Sequence, residues 1–121
     1  MYLTESQGKQ VFLKYDIPIP NGKLIYESNQ TLPALSNLKP PYIVKAQVPV
    51  GGRGKAGGII SGTSTNEVQK AVTQLLGAQI KNFLVKQVLI EEKLSIKKEL
   101  YIGFTVDRFN RSYVALTSKM G

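Results

Sequence analysis

Apolar and polar residues alternate along this chain with two periods, and the switches between them outline its elements. Thr4 and Gln7 have the spacing of a capping box, with Glu5 placed in the first turn, so a short amphipathic helix is expected to open the chain. Val11, Phe12 and Tyr15 follow at helical spacing and are expected to supply its apolar contacts. The stretch from Asp16 to Gly22, with Pro18 and Pro20, ends that helix in a turn. Lys23 to Glu27 reads as a strand, Thr31 to Leu38 as a weakly patterned helix, and Pro40-Pro41 as a break. Tyr42 to Val48 then alternates, with Tyr42, Val44 and Ala46 on one face and Ile43, Lys45 and Gln47 on the other.

After a glycine-rich stretch, the short apolar run Ile59-Ile60 leads to the best-patterned helix. Ser64 and Glu67 fit a second capping box, Val68, Ala71, Val72, Leu75 and Leu76 keep the 3.6-residue period, and Gly77 closes it. Phe83 to Glu91 reads as one nearly continuous apolar strand, which predicts a central position in a sheet. Lys98 to Asp107 alternates, with Leu100, Ile102, Phe104 and Val106 on one face. Phe109-Asn110-Arg111 turns it into a last strand, Ser112 to Thr117. The order predicts an α/β or α+β fold ending in a β-hairpin.

At 121 residues the chain is one domain's worth of protein. With 42% hydrophobic and 20% charged residues it lies in the globular range. No apolar run reaches the roughly 18 residues of a membrane helix, and the opening residues carry no signal-peptide pattern, so a cytoplasmic setting is expected and no membrane partner. Cysteine and histidine are both absent. Thiolate chemistry, His/Cys zinc sites and histidine-dependent triads are therefore excluded within this sequence. The net charge of +8, from 16 basic and 8 acidic residues, attracts polyanions without choosing among nucleic acid, membrane and phosphorylated small molecules.

The glycine stretch narrows that choice. Gly52-Arg53-Gly54-Lys55-Ala56-Gly57 satisfies G-x-G-x-x-G, but it leads into a strand rather than a helix, so the dinucleotide fingerprint does not apply. A Walker A loop fails too, because Ala56 follows Lys55. What remains is a strand, a glycine loop and a strand, which can close over phosphates with backbone N–H groups while Arg53 and Lys55 supply charge. The same pattern also fits a mobile surface hairpin with solvated basic residues. Lys45, in the strand feeding the loop, is either an ordinary solvated strand residue or the cation that reaches the inner phosphates of a nucleotide. Glu91 ends an apolar strand, where it can face ribose hydroxyls or simply solvent. Glu99 lies on a polar face, where an ion pair with Lys97 or Lys98 would be worth little. From spacing alone each acid reads as structural.

The block Lys45-Ala46-Gln47-Val48, followed by Gly51-Gly52-Arg53-Gly54-Lys55-Ala56-Gly57-Gly58, resembles the β subunits of succinyl-CoA synthetases (succinate–CoA ligases), members of the ATP-grasp fold. Leu3-Thr4-Glu5-Ser6-Gln7-Gly8-Lys9 resembles the family's opening motif, with Ser6 and Gly8 standing for Tyr and Ala. Ile90-Glu91, Lys98-Glu99-Leu100-Tyr101-Ile102-Gly103 and Asp107-Arg108 resemble its hinge and following strand. The similarity spans essentially the whole chain.

The resemblance implies an ATP-grasp α/β fold divided into a first subdomain over 1–91 and the start of a second over 92–121. It implies ATP or GTP as nucleotide, with Pro20 leaning towards ATP. Lys45 would hold phosphate, Gly52, Arg53 and Gly54 would form the phosphate loop, Glu91 and the Leu94 backbone would contact base and ribose, and Glu99 would complete the site. It implies no catalytic residue of its own here, and Mg2+ ligands beyond Gly121. The partner would be an α subunit that carries coenzyme A and a phosphohistidine. It also implies a chain several times longer, of which this is the N-terminal fragment, inactive alone. In a eukaryote the setting would be the mitochondrial matrix. Malate–CoA ligase and the corresponding part of ATP-citrate lyase share the loop. A small basic nucleic-acid-binding module is the rival from another class, disfavoured because Trp is absent and the aromatics fall at expected core or strand positions.

Overall fold

The computed structural model describes residues 2–120. Thr4 caps the first helix, α1 (Glu5–Lys14), through the expected reciprocal bonds: Gln7 N donates to Thr4 Oγ1 and Thr4 N donates to Gln7 Oε1. The apolar contacts expected of α1 are not made among the described residues. Val11, Phe12 and Tyr15 are all exposed, and the helix instead buries Ser6, whose backbone N–H donates to Gln47 Oε1 at 2.8 Å. Polar pairing, not an apolar stripe, docks this helix.

Strand β1 (Gly22–Ile25) and a short 3-10 turn at Ser28–Gln30 lead to α2 (Thr31–Leu35), which stops three residues before the expected Leu38. Pro33 sits inside that single turn and its carbonyl accepts from Ser36 Oγ. Strands β2 (Tyr42–Ala46) and β3 (Ile59–Gly62) flank the glycine stretch, and α3 (Thr65–Leu75) follows. Ser64 caps α3 by accepting from Glu67 N, as expected. The Glu67 carboxylate does not close the box, however. It reaches back past Ser64 to the N–H and hydroxyl of Thr63. Gly77 adopts a φ of +82°, the left-handed conformation that ends helices and that only glycine takes without strain.

The strand expected over Phe83–Glu91 is two strands in two sheets. β4 (Gln79–Ile80) and β5 (Phe83–Leu84) form a small hairpin whose turn residues, Lys81 and Asn82, both have positive φ. The polar pair Lys86-Gln87 separates it from β6 (Val88–Glu92). β6 is central, as predicted: the four-stranded antiparallel sheet has the order β1-β6-β2-β3. One face of this sheet carries Ile25, Tyr42, Val44, Ala46, Val88 and Ile90, all buried. They pack against Val68, Ala71, Val72 and Leu75 of α3 and Ala34 and Leu35 of α2. The alternation in β2 therefore puts Ile43 and Lys45 on the face away from the core.

Strands β7 (Tyr101–Asp107) and β8 (Ser112–Ser118) pair only with each other, from Tyr101 with Ser118 to Asp107 with Ser112. The face read as apolar is uncovered among the described residues, with Leu100, Ile102, Phe104 and Val106 exposed. Asp107 shapes the tip by accepting from the backbone N–H groups of Phe109 and Asn110.

Candidate functional site

Lys45 occupies the middle of the sheet face opposite the core because its neighbours in β2, Val44 and Ala46, are buried on the other side. Across the strands it stands opposite Ile59 of β3 and Leu89 of β6. Glu91, two residues along β6 from Leu89, projects to the same face, and its side chain is only 1% exposed. A carboxylate this deep requires compensation. It receives it from Lys9 on α1, which donates to Oε2, and from Lys45, whose Nζ lies 2.7 Å from Oε1. The second contact sets the Lys45 ammonium against Oε1 and so compensates the charge of the other oxygen.

Glu5 completes the cluster from the first turn of α1. Its Oε1 lies 2.8 Å from both Lys9 Nζ and Lys45 Nζ, and its Oε2 accepts from Arg53 Nη2. Arg53 Nη1 donates to the Ala46 carbonyl at 2.6 Å, where β2 ends. Three cations thus meet two carboxylates at the root of the glycine loop. Burial alone would raise the Glu5 pKa, but hydrogen bonds from Lys45, Lys9 and Arg53 outweigh it and hold the carboxyl at about 2. For Lys45, burial pulls downward, yet its contacts with Glu5 and Glu91 leave its pKa raised above 10.5.

The loop itself is tied back on its own backbone. The Arg53 carbonyl accepts from Gly58 N at 2.7 Å and Ala56 N at 3.1 Å. Gly52 has a φ of +69°, and a Cβ there would stand 2.7 Å from Lys81 Nζ, which reaches over from the β4–β5 turn to the Gly51 carbonyl. Lys55 is exposed. A depression of about 420 Å³ lies beside the loop, bordered by Leu3, Glu5, Val50, Gly52, Arg53 and Gly54. A cleft of about 490 Å³ opens between α1 and the β1–β6 edge, bordered by Ser6, Lys9, Gln10, Pro20, Asn21 and Glu91.

The structure thus gathers Lys45, Arg53 and Glu91 into one cluster and sets Gly52 and Gly54 on its rim. It does not gather Leu94 or Glu99. Leu94 is exposed beyond β6, in a separate depression with Pro41, Ser61 and Lys93. Glu99 is exposed among Lys97, Lys98 and Lys119, and forms no ion pair among the described residues. Two members of the cluster, Glu5 and Lys9, are not among the site residues the sequence suggests. Their four-residue spacing puts both on one helix face, a signal that was available, but their partners are 40 to 82 residues away. Among the described residues no group of three or more acids could hold a metal ion.

A four-stranded antiparallel sheet backed by helices, with a glycine loop between two strands and a cationic cluster at its root, is an architecture suited to phosphate. Residues 2–121 match the ATP-grasp domain family, and the chain belongs to it. Over all 121 residues it is 43% identical to a succinate–CoA ligase [ADP-forming] subunit beta from Ignicoccus hospitalis and 37% identical to a succinate–CoA ligase [GDP-forming] subunit beta from Thermus thermophilus. It spans 32% of the length of each of these relatives. In three dimensions it is similar to a dinucleotide-forming acetyl-coenzyme A synthetase of Ca. Korarchaeum cryptofilum, with a TM-score of 0.84 at 22% identity, covering 98% of this chain and 54% of that one. The phosphoribosylamine–glycine ligase of Thermotoga maritima shares the fold more loosely, with a TM-score of 0.67 at 19% identity over 95% of this chain and 28% of that one. The mixed α/β fold is thus that of ATP-grasp enzymes.

Proposed function

We propose that this chain forms the nucleotide-gripping part of a succinate–CoA ligase β subunit, which couples cleavage of ATP or GTP to formation of the succinyl thioester. The observation that carries this reading is the convergence of Lys45, Arg53 and Glu91 at the root of the glycine loop, in a chain whose curated relatives bear that name. Lys45 retains N–H donors beyond those its carboxylates take, and its charge is secured by its raised pKa, so it can meet phosphate oxygens. Gly52 and Gly54 border the depression beside the loop, where their amides would meet phosphate oxygens, and Glu91 borders the cleft beside Pro20 where base and ribose would enter. The Leu94 backbone and Glu99 would join the site from the segment after β6. Residues 92–121 would begin a second subdomain, in keeping with a hairpin that pairs only with itself. Magnesium would bring charge neutralisation to the phosphates and would take its ligands from outside this stretch. Because the chain contains no histidine, a phosphohistidine would stand elsewhere, on an α subunit that also carries coenzyme A. The relatives' names include both ADP- and GDP-forming enzymes.

Calorimetric titration with Mg-ATP and Mg-GTP, with a generic oligonucleotide as control, tests the reading. Nucleotide binding that Lys45→Ala weakens about ten- to hundredfold, the worth of one charge-assisted hydrogen bond, is the expected result. Salt-sensitive oligonucleotide binding that Mg-ATP does not compete away would replace it with a nucleic-acid function.

A further inference from the structure

We propose that Glu5 is the positioning residue of this phosphate site: one carboxylate on α1 sets the direction of both Lys45 and Arg53 and so locks the N-terminal helix to the glycine loop. The inference rests on the nucleotide reading above and adds to it a residue outside the glycine block. Its two oxygens are divided between the two cations, Oε1 at 2.8 Å from Lys45 Nζ and Oε2 on Arg53 Nη2. Arg53 in turn holds the Ala46 carbonyl, and its own carbonyl gathers the amides of Ala56 and Gly58. Displacing Glu5 therefore releases the guanidinium that fixes the loop's root. The side chains involved are 14% to 20% exposed, so this is not a solvated surface pair.

The charges facing Lys45 come from three elements: Glu5 and Lys9 on α1, Arg53 in the loop and Glu91 on β6. If Glu5 were only a counter-charge, neutralising it would raise the local positive charge and tighten phosphate binding. If it positions the two cations, neutralising it loosens them and weakens binding. The two roles thus predict opposite signs.

The test compares wild type, Glu5→Gln and Glu5→Asp in the full chain, with Thr4→Ala as a control that weakens the α1 cap without touching the cluster. The rate of Lys45 acylation is followed by peptide mass mapping across pH, without nucleotide, and Mg-ATP affinity is measured separately. The expected results for Glu5→Gln are a labelling profile shifted to lower pH, with roughly three- to tenfold faster Lys45 labelling at fixed pH, and Mg-ATP affinity weakened about tenfold. Glu5→Asp should fall between, and guards against a Gln variant that fails to fold. Unchanged Lys45 labelling, an equal rise in Thr4→Ala, or unchanged or tighter Mg-ATP binding by Glu5→Gln each overturns the proposal. If wild type binds no Mg-ATP, the nucleotide reading fails, while the labelling still decides whether Glu5 holds Lys45.

Discussion

Val44, Lys45 and Ala46 show how one residue's surroundings change its chemistry. Two neighbours anchor β2 in the core, and the lysine between them is turned to the opposite face, where the carboxylates of Glu5 and Glu91 meet it. That alternation was legible in the sequence, as were the glycines at 52 and 54. The partners were not: Glu5 and Glu91 approach Lys45 from 40 and 46 residues away, and periodicity reports only near neighbours. The depressed Glu5 pKa gives a pH signature. A carboxyl held at about 2 instead of 4.5 contributes stability that is complete above about pH 4.5 and is lost as pH falls through 2. Urea midpoints measured from pH 6 down to 2 should therefore fall on the acid side in wild type and fall less in Glu5→Gln. Glu67 and Asp107 are also held below their ordinary values by local hydrogen bonds, so both proteins keep part of the acid limb and the difference between them reports Glu5.

The elements divide into those held by apolar burial and those held by polar contacts. In α3 the sequence period runs through Val68, Ala71, Val72, Leu75 and Leu76; the first four are buried, because a local period is enough to specify a helix face, while Leu76 caps the helix and is only partly buried. Leu75→Ala should cost about 2–5 kcal/mol in chemical denaturation, as expected for emptying a filled core position. Ser64→Ala should cost about 1 kcal/mol by thermal unfolding, since Glu67 reaches Thr63 and leaves the Ser64 hydroxyl as the cap for the Glu67 N–H. For α1 the same period was misleading. Val11, Phe12 and Tyr15 repeat like a core stripe, yet among the described residues they face outward while Ser6, Lys9 and Glu5 do the docking. The run from Phe83 to Glu91 misled in another way: apolar continuity does not reveal that Lys81 and Asn82 reverse the chain and pair its first residues backward.

At the scale of the whole molecule, stability is unevenly distributed. The sheet core has helices on one face, whereas the β7–β8 hairpin pairs only with itself and exposes both faces, an arrangement that is marginal in water. Hydrogen exchange of this chain should find the amides of β2 and β6 among the slowest and those of β7 and β8 exchanging far faster. Equal protection in the hairpin would mean that something other than its own pairing stabilises it. The family resemblance anticipated the ATP-grasp fold, but the order β1-β6-β2-β3 follows from pairings that a linear pattern does not display. That order also has a bearing on synthesis. β1 pairs with β6 alone, and Lys9 finds Glu91 82 residues further along the chain. As the protein emerges from the ribosome, α1 can meet Lys45, Gln47 and Arg53 early, but Lys9 lacks its carboxylate partner on β6, and β1 its only partner strand, until Glu91 follows them out. The cluster of two carboxylates and three cations is therefore complete only once translation has passed Glu91.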